Sequence, residues 1–339
     1  MANSRITIAD IAAKVGVSPS TVSRVLNGYT DVSEATREKI LAVVNELGFV
    51  PNRHARRLRT QRTDSISIIL PRIDAEFYPR VVTAIDAALE KHHYTSGLYP
   101  LLSETRLKQF QNESAPPYNA DGLIYVSLNP NRLYKEGIPV SLPIVLLECE
   151  NDEYDSVTLD NFFGGYLAGR HLCEVPADTF VVMVEERFST PFASGVFRER
   201  LNGFRKALEE AGQPLPDDHI ITMEFSWGGG RLAAQKIIKK MKGPVNIFAT
   251  CDLMARGVLD EARLAGLEIG RDIRVIGYDD LYWVRDIGLT TIRQPIEEMG
   301  RWAVELLLER IKNPSLKPRK IKLTPELVRR TYYSHEKKN

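Results

Sequence analysis

Arg24 lies in a stretch dense in short polar side chains: Ser18, Pro19, Ser20, Thr21 and Ser23 precede it and Asn27 follows. A guanidinium here can offer paired N–H donors to guanine O6 and N7, and the hydroxyls and the amide, with Thr7 upstream, suit phosphate oxygens. A second concentration of donors runs from Asn52 to Arg62, where five arginines and His54 surround Ala55 and Leu58. Both sets are chemistry for a polyanion. Other chemistries leave weaker traces. Gly228 to Gly230 lack a following Lys-Ser or Lys-Thr at phosphate-loop spacing, and NFFGGYLAG lacks the dinucleotide fingerprint. These glycines read instead as a helix-start turn and as a close-packed helix beginning at Asn161. Cys149, Cys173 and Cys251 have no metal-ligand spacing and read as buried thiols, the six histidines are scattered, and no Ser-His-acid arrangement is present. Neither a metal nor another cofactor is expected, and neither is catalysis.

The elements that must carry these residues follow from capping signals and apolar spacing. Thr7 and Asp10 make a capping-box start, Ile8, Ile11, Ala12 and Val15 recur at helical spacing, and Gly16 ends the helix. Ser18 as N-cap and Pro19 at the first helical position start a second helix three residues later, with Val22 and Leu26 facing in and Pro19, Ser20, Thr21, Ser23 and Arg24 facing out. Ser33 caps a third helix whose stripe is Ile40, Leu41, Val44 and Leu47, and Gly48 terminates it. Two helices joined by Gly-Val-Ser are a helix-turn-helix, and a helix of that width fits the major groove.

Charge agrees with this. The 339-residue chain carries a formal net charge of +1, but residues 1 to 62 hold ten Lys or Arg against five Asp or Glu, while the remainder is acidic. The length calls for a small module joined to a larger one. No run approaches a membrane span, the N-terminus lacks a signal-peptide pattern, and the odd cysteine count suits a reducing cytosol, so a cytoplasmic location without membrane association is expected.

The stretch TIADIAAKVGVSPSTVSRVLNGYTDVSEATREKILAVVNELGFVPNRHARRLRT resembles the DNA-binding end of the lactose-repressor and galactose-repressor family, and GYDD at 277 to 280 and LTTIRQP at 289 to 295 extend the likeness. The resemblance implies that the basic segment is a hinge helix capped by Asn52. It would order on operator in the minor groove, with Ala55, Arg56 and Arg59 at the DNA and Leu58 as an apolar wedge that unstacks a base step. A flexible basic linker is the competing reading.

Beyond Ser65 the apolar runs SISIIL, GLIYV, PIVLLE, FVVMVE, VNIFA and IRVIG alternate with helical stretches at 79 to 92, 162 to 173 and 231 to 242. Such alternation predicts two doubly wound parallel sheets with a ligand crevice at the carboxyl ends of their strands. By resemblance this is a two-subdomain core of periplasmic-binding-protein type. The expected organisation is an α/β chain with a helix-turn-helix domain at 1–48, a hinge at 49–62 and a core at 63–339, with crossings near 160, 292 and 321. The resemblance places Phe77, Tyr78, Ser127, Glu148, Arg200, Trp227, Cys251 and Asp279 at the crevice, Cys251 standing where the family often has an Asn. For Phe77 and Trp227 core packing is the competing reading; for Arg200 and Asp279 burial without a partner would be costly.

Together these features imply a repressor that binds near-palindromic operator DNA as a homodimer and answers to a small effector, a sugar or sugar derivative. The final TYYSHEKKN is too short and polar for a tetramer-forming leucine repeat, which favours the dimer. A kinase fused to a helix-turn-helix would need a phosphate loop, and a transport protein would need a signal peptide and would have no use for residues 1 to 62.

Overall fold

The computed structural model describes residues 6–26, 29, 31–49, 62–101, 103–112, 119–134, 142–185 and 195–332. Two compact units make up the chain, Met1–Thr63 and Asp64–Asn339.

In the first unit, α1 (Ile8–Val15), α2 (Pro19–Leu26) and α3 (Glu34–Glu46) bury Ile11, Ala12, Val22, Val25, Ile40 and Val44 against one another. The capping box is complete: Thr7 N–H donates to Asp10 Oδ2 at 2.8 Å, and Asp10 N–H returns to Thr7 Oγ1 at 3.4 Å. Gly16 then closes α1 with a φ of 79°, which costs a residue without a Cβ little. Two expectations fail. Ser23, placed on the outward face of α2, is buried, because this short helix packs on both α1 and α3 and its inner arc takes in Val22, Ser23 and Val25. Leu41 is 41% exposed, and Val43 takes its place against the core. Ser33 does cap α3 by position, yet its hydroxyl bonds Thr36 Oγ1 at 2.8 Å and no backbone N–H.

The second unit contains twelve strands among the described residues. They are, in chain order, β1 (Ser65–Leu70), β2 (Thr95–Pro100), β3 (Gly122–Val126), β4 (Ile144–Leu147), β5 (Asp155–Leu159), β6 (Asp178–Val184), β7 (Ile220–Met223), β8 (Val245–Ala249), β9 (Ile273–Asp279), β10 (Thr290–Arg293), β11 (Lys320–Leu323) and β12 (Glu326–Val328). They form two six-stranded sheets, ordered β11-β5-β4-β3-β1-β2 and β12-β10-β9-β8-β6-β7. Every pairing is parallel except β10 with β12. The doubly wound α/β class read from the apolar runs is the fold observed. β3, β4 and β8 are buried throughout because helices cover both faces, whereas β2 lies at an edge and is largely exposed. The chain passes from the first sheet to the second between Leu159 and Asp178, returns between Arg293 and Lys320, and crosses again between Leu323 and Glu326.

Helix Asn161–Leu172 packs against helix Val196–Glu210 at a spacing only glycine permits. A Cβ at Gly165 would lie 1.8 Å from the Arg200 carbonyl oxygen, and one at Gly203 the same distance from that of Phe162. This close crossing sets Arg200 beside Asn161. Helix Trp227–Lys240 starts at a Ser226 cap four residues before the expected point, so the glycine run is its first turn. Cys149 and Cys251 are buried as expected, while Cys173 is partly exposed.

Candidate nucleic-acid interface and ligand cleft

At the start of α2 three hydroxyls converge. Ser18 Oγ lies 2.7 Å from Ser20 Oγ and 2.8 Å from Thr21 Oγ1, and it accepts the Thr21 N–H at 3.1 Å. Ser18, Pro19 and Ser20 are exposed and Thr21 half-buried, a surface of short donors on a helix N-terminus that suits phosphate oxygens. Arg24 projects from the same helix, exposed, with Nε donating to Asp31 Oδ1 at 3.1 Å. Thr7 is exposed but already engaged, its hydroxyl donating to Asp10 Oδ2 at 2.7 Å; that bond holds the Asp10 carboxyl below its ordinary range. Ser23 does not share this surface. Asn27, Asn52, Ala55, Arg56, Leu58 and Arg59 lie outside the described residues.

The cleft of the second unit is built at strand ends. Ser127 follows β3, Glu148 follows β4, Cys251 follows β8 and Asp279 ends β9. Ser127, Glu148 and Asp279 all have positive φ, of 52°, 55° and 122°. Left-handed backbone at three non-glycine residues is strain of the sort that concentrates at functional sites.

The polar groups there form one buried chain. Glu148 accepts the Leu159 N–H at 2.9 Å and lies 3.4 Å from Asn161 Nδ2. Asn161 Oδ1 accepts from Arg200 Nε at 2.9 Å, and Arg200 Nη1 donates to the Thr250 carbonyl at 2.6 Å and faces Asp279 Oδ1 at 3.7 Å. Gln294 Nε2 donates to Asp279 Oδ1 at 2.5 Å. Glu148 and Asn161 follow strands of one sheet; Thr250 and Gln294 follow strands of the other and Asp279 ends one, so the chain bridges both. The Arg200 guanidinium carbon also sits 3.6 Å from the Tyr278 ring centroid and 5.1 Å from that of Phe197.

Burial sets the electrostatics. It pushes the Asp279 carboxyl up to about 6, against the pull of Arg200 and Gln294, and raises Glu148 for the same reason, again opposed by Arg200. Asp252, wholly buried beneath them and held by the Leu281 N–H at 3.0 Å and Thr291 Oγ1 at 2.7 Å, is raised well above the carboxylate range by burial and then by Asp279. Tyr78 bonds Ser127, and burial drives its hydroxyl up to about 12. Burial likewise raises the Cys251 thiol, so it stays protonated.

Phe77 stands edge-on to Tyr78 at 5.3 Å. Trp227 is not drawn into the cleft cluster: it is 41% exposed, its Nε1 donates to Asp260 Oδ2 at 2.9 Å, and Arg231 lies over its ring. Phe225, two residues earlier, has its ring 5.9 Å from that of Phe197, with the Arg72 guanidinium 5.2 Å from its centroid. Two bridges flank the cleft: Arg72 Nη1 to the Phe225 carbonyl at 3.2 Å, and Arg80 Nη1 to the Asp280 carbonyl at 2.8 Å. Sequence reasoning missed Asn161, Thr250, Phe225 and Gln294; the RQP that closes LTTIRQP was the one available signal, for Gln294 alone. Gln294 Oε1 is buried without a hydrogen-bond partner among the described residues, an acceptor open to a donor in the cleft.

Comparison with known proteins gives two matched families. Residues 7–52 match the family described as bacterial regulatory proteins, lacI family, and residues 170–331 match the periplasmic binding protein-like domain. The chain is similar to the ribose operon repressor of Haemophilus influenzae, 30% identical over 333 residues that cover 97% of this chain and 99% of that one. Among solved structures it resembles the lac repressor dimer bound to operator and the anti-inducer ONPF, with TM-score 0.78 and 25% identity over 96% of this chain and 98% of that one. It also resembles the transcriptional regulator CelR in complex with cellobiose, with TM-score 0.71 and 27% identity over 97% and 100%.

Proposed function

The chain belongs to the lacI family of bacterial regulatory proteins, and from that premise we propose that it is a sequence-specific repressor, dimeric on a near-palindromic operator, whose DNA affinity is set by a neutral sugar or sugar derivative. The buried chain Glu148–Asn161–Arg200–Asp279–Gln294 carries this reading. Carboxylates, amides and a guanidinium that converge on strand ends beside aromatic rings grip paired hydroxyls and stack on a sugar face. Two buried carboxylates against one arginine oppose an anionic ligand. Phe77, Tyr78, Ser127, Glu148, Arg200 and Asp279 line the effector site in this proposal, with Phe225 rather than Trp227 as its further aromatic, and Cys251 beside Asp279 as packing.

The DNA-contacting set is Thr7, Ser18, Pro19, Ser20, Thr21 and Arg24, extended by Asn27 and by the hinge residues Asn52, Ala55, Arg56, Leu58 and Arg59 that the family likeness suggests. Residues 1–48 then form the DNA-binding domain, 49–62 the hinge and 63–339 the effector and dimer core. The protein acts in the cytoplasm, where its operator is, without turnover and without a cofactor. No helix among the described residues is long and apolar enough to cross a membrane.

Thermal-shift screening of the full chain with neutral sugars, sugar phosphates and nucleobases tests the effector class, since a ligand of the folded state stabilises by mass action. A neutral sugar is expected to raise the core's melting temperature; a shift confined to phosphates or nucleobases would reject the assignment. Phosphate release from ATP in the presence of sugars would contradict the absence of turnover.

A further inference from the structure

The arginine offered to the bases is held from two directions. Asp31, in the connection between α2 and α3, takes Nε through Oδ1 at 3.1 Å and pairs with Nη2 through Oδ2. The Tyr29 ring lies 5.6 Å from the guanidinium carbon. Tyr29 is itself fixed, its N–H donating to the Arg24 carbonyl at 3.1 Å and its own carbonyl accepting from Arg37 Nη2. Arg24 and Asp31 are both about half exposed, so the pair sits at the surface that α2 presents.

A guanidinium has two edges that grip paired acceptors, Nε with Nη2 and Nη1 with Nη2. Asp31 occupies the first, leaving Nη1 and the outer N–H of Nη2 pointing along the side chain. A free arginine on a helix surface would serve phosphate oxygens and base edges alike. One held by a carboxylate and a ring has fewer rotamers to lose on pairing and a single geometry to offer. A carboxylate in this place also repels phosphates, a cost that the orientation of Arg24 offsets.

We propose that Asp31 is a positioning residue for sequence readout: with Tyr29 it presents Arg24 end-on, so that Nη1 and Nη2 meet O6 and N7 of one guanine in each half-site. The proposal rests on the reading of α2 as the DNA-contacting helix.

The test uses the full-length chain and a random pool of double-stranded DNA. Bound sequences are enriched for the wild type, and affinities are then measured on the enriched site and on its single-base variants for the wild type, Asp31→Asn, Asp31→Ala and Arg24→Ala. Asp31→Asn is expected to cut the preference for guanine at one position per half-site by roughly fivefold to tenfold, within the range a bidentate base contact supplies. Other positions should keep their preferences, and in a double variant adding Asp31→Asn to Arg24→Ala should change no base preference further, even where loss of the carboxylate's charge alters affinity for all sequences alike. Tighter binding of every sequence with unchanged preference would show that Asp31 masks Arg24 and overturn the proposal. Uniform weakening, which a merely structural role would produce, overturns it as well. An unchanged profile would reduce the pair to an incidental surface contact. Failure of the wild type to enrich any sequence would instead bring down the reading of α2, and the proposal with it.

Discussion

The surface of α2 and the cleft of the larger unit both hold arginine against carboxylate, under opposite conditions. Arg24 and Asp31 meet in water, where an ion pair contributes little to stability and the arginine edge that Asp31 leaves open can trade water for another partner at small cost. Arg200 is 3% exposed, and Asp279, Glu148 and Asn161 around it are nearly as enclosed. There each charge is retained only because the others complete it, and removal of one leaves the rest uncompensated. On the proposed function the α2 surface trades water for base and phosphate atoms, so its groups stay wet. A ligand site that reports on occupancy gains from groups already desolvated and aimed, at a cost that burial makes visible in the raised carboxyls of Asp279 and Glu148.

The comparison breaks most readily at Arg200. Arg200→Ala would take the buried cation from Asp279 and a donor from Asn161 Oδ1, leaving Gln294 on the one and the Tyr278 hydroxyl at 3.3 Å on the other, and it should destabilise the core by about 3–5 kcal/mol in urea unfolding and abolish the thermal shift from effector. A loss below about 1 kcal/mol would mean that the cleft charges are as expendable as surface ones. The matching change on the other side, Arg24→Ala, should leave stability almost untouched and remove roughly 1–3 kcal/mol of base discrimination at one operator position, read by competition with single-base variants.

A third, smaller effect is proton-linked. With its carboxyl raised to about 6 by burial, Asp279 holds a proton that the unfolded chain has already released, so ionising it as pH rises from about 4 to 6 lowers the core's stability. A hydroxyl donated to the ionised carboxylate stabilises the charged form. Effector affinity should therefore rise with pH through 6, by about tenfold between pH 5 and 7 if one proton is released on binding. Calorimetric titrations at the two values check this; affinity that falls with pH would exclude Asp279 as an acceptor for the ligand. The smallest effect belongs to the helical module, where Thr7→Ala should cost about 1 kcal/mol through loss of the α1 cap, seen as a lower melting temperature of that transition alone.

How much of this could be read in advance follows the same division. The strands buried on both faces announced themselves as apolar runs, β1, β3, β4, β6, β8 and β9 among them. β2 and β5 did not: TSGLYP lies on an exposed edge, and DSVTL buries Asp155 and Ser156, its acid satisfied by Arg310 Nε at 2.6 Å. The capping box and the turn at Gly16 were legible because they depend on residues a few positions apart. Ser23 was not, since its burial depends on α3 as much as on α2. In the cleft, Arg200 and Asp279 stood out through motifs, while Asn161, Thr250 and Phe225 acquire their place only when two sheets bring distant strand ends together. Trp227, to which the family resemblance points, starts a helix with its indole bonded to Asp260, outside the cluster.

The claim that joins the two regions is that occupancy of the cleft changes affinity for DNA, which requires a differential affinity of the ligand for two states of the protein. It is tested most directly on the full-length chain with an enriched operator and a sugar that raises the melting temperature of the core. Operator affinity is measured by fluorescence anisotropy with and without saturating sugar, for the wild type and for Arg200→Ala. The account predicts a change of about fivefold or more in the wild type and none in Arg200→Ala. A sugar that stabilises the wild-type core yet leaves its operator affinity unchanged would contradict it.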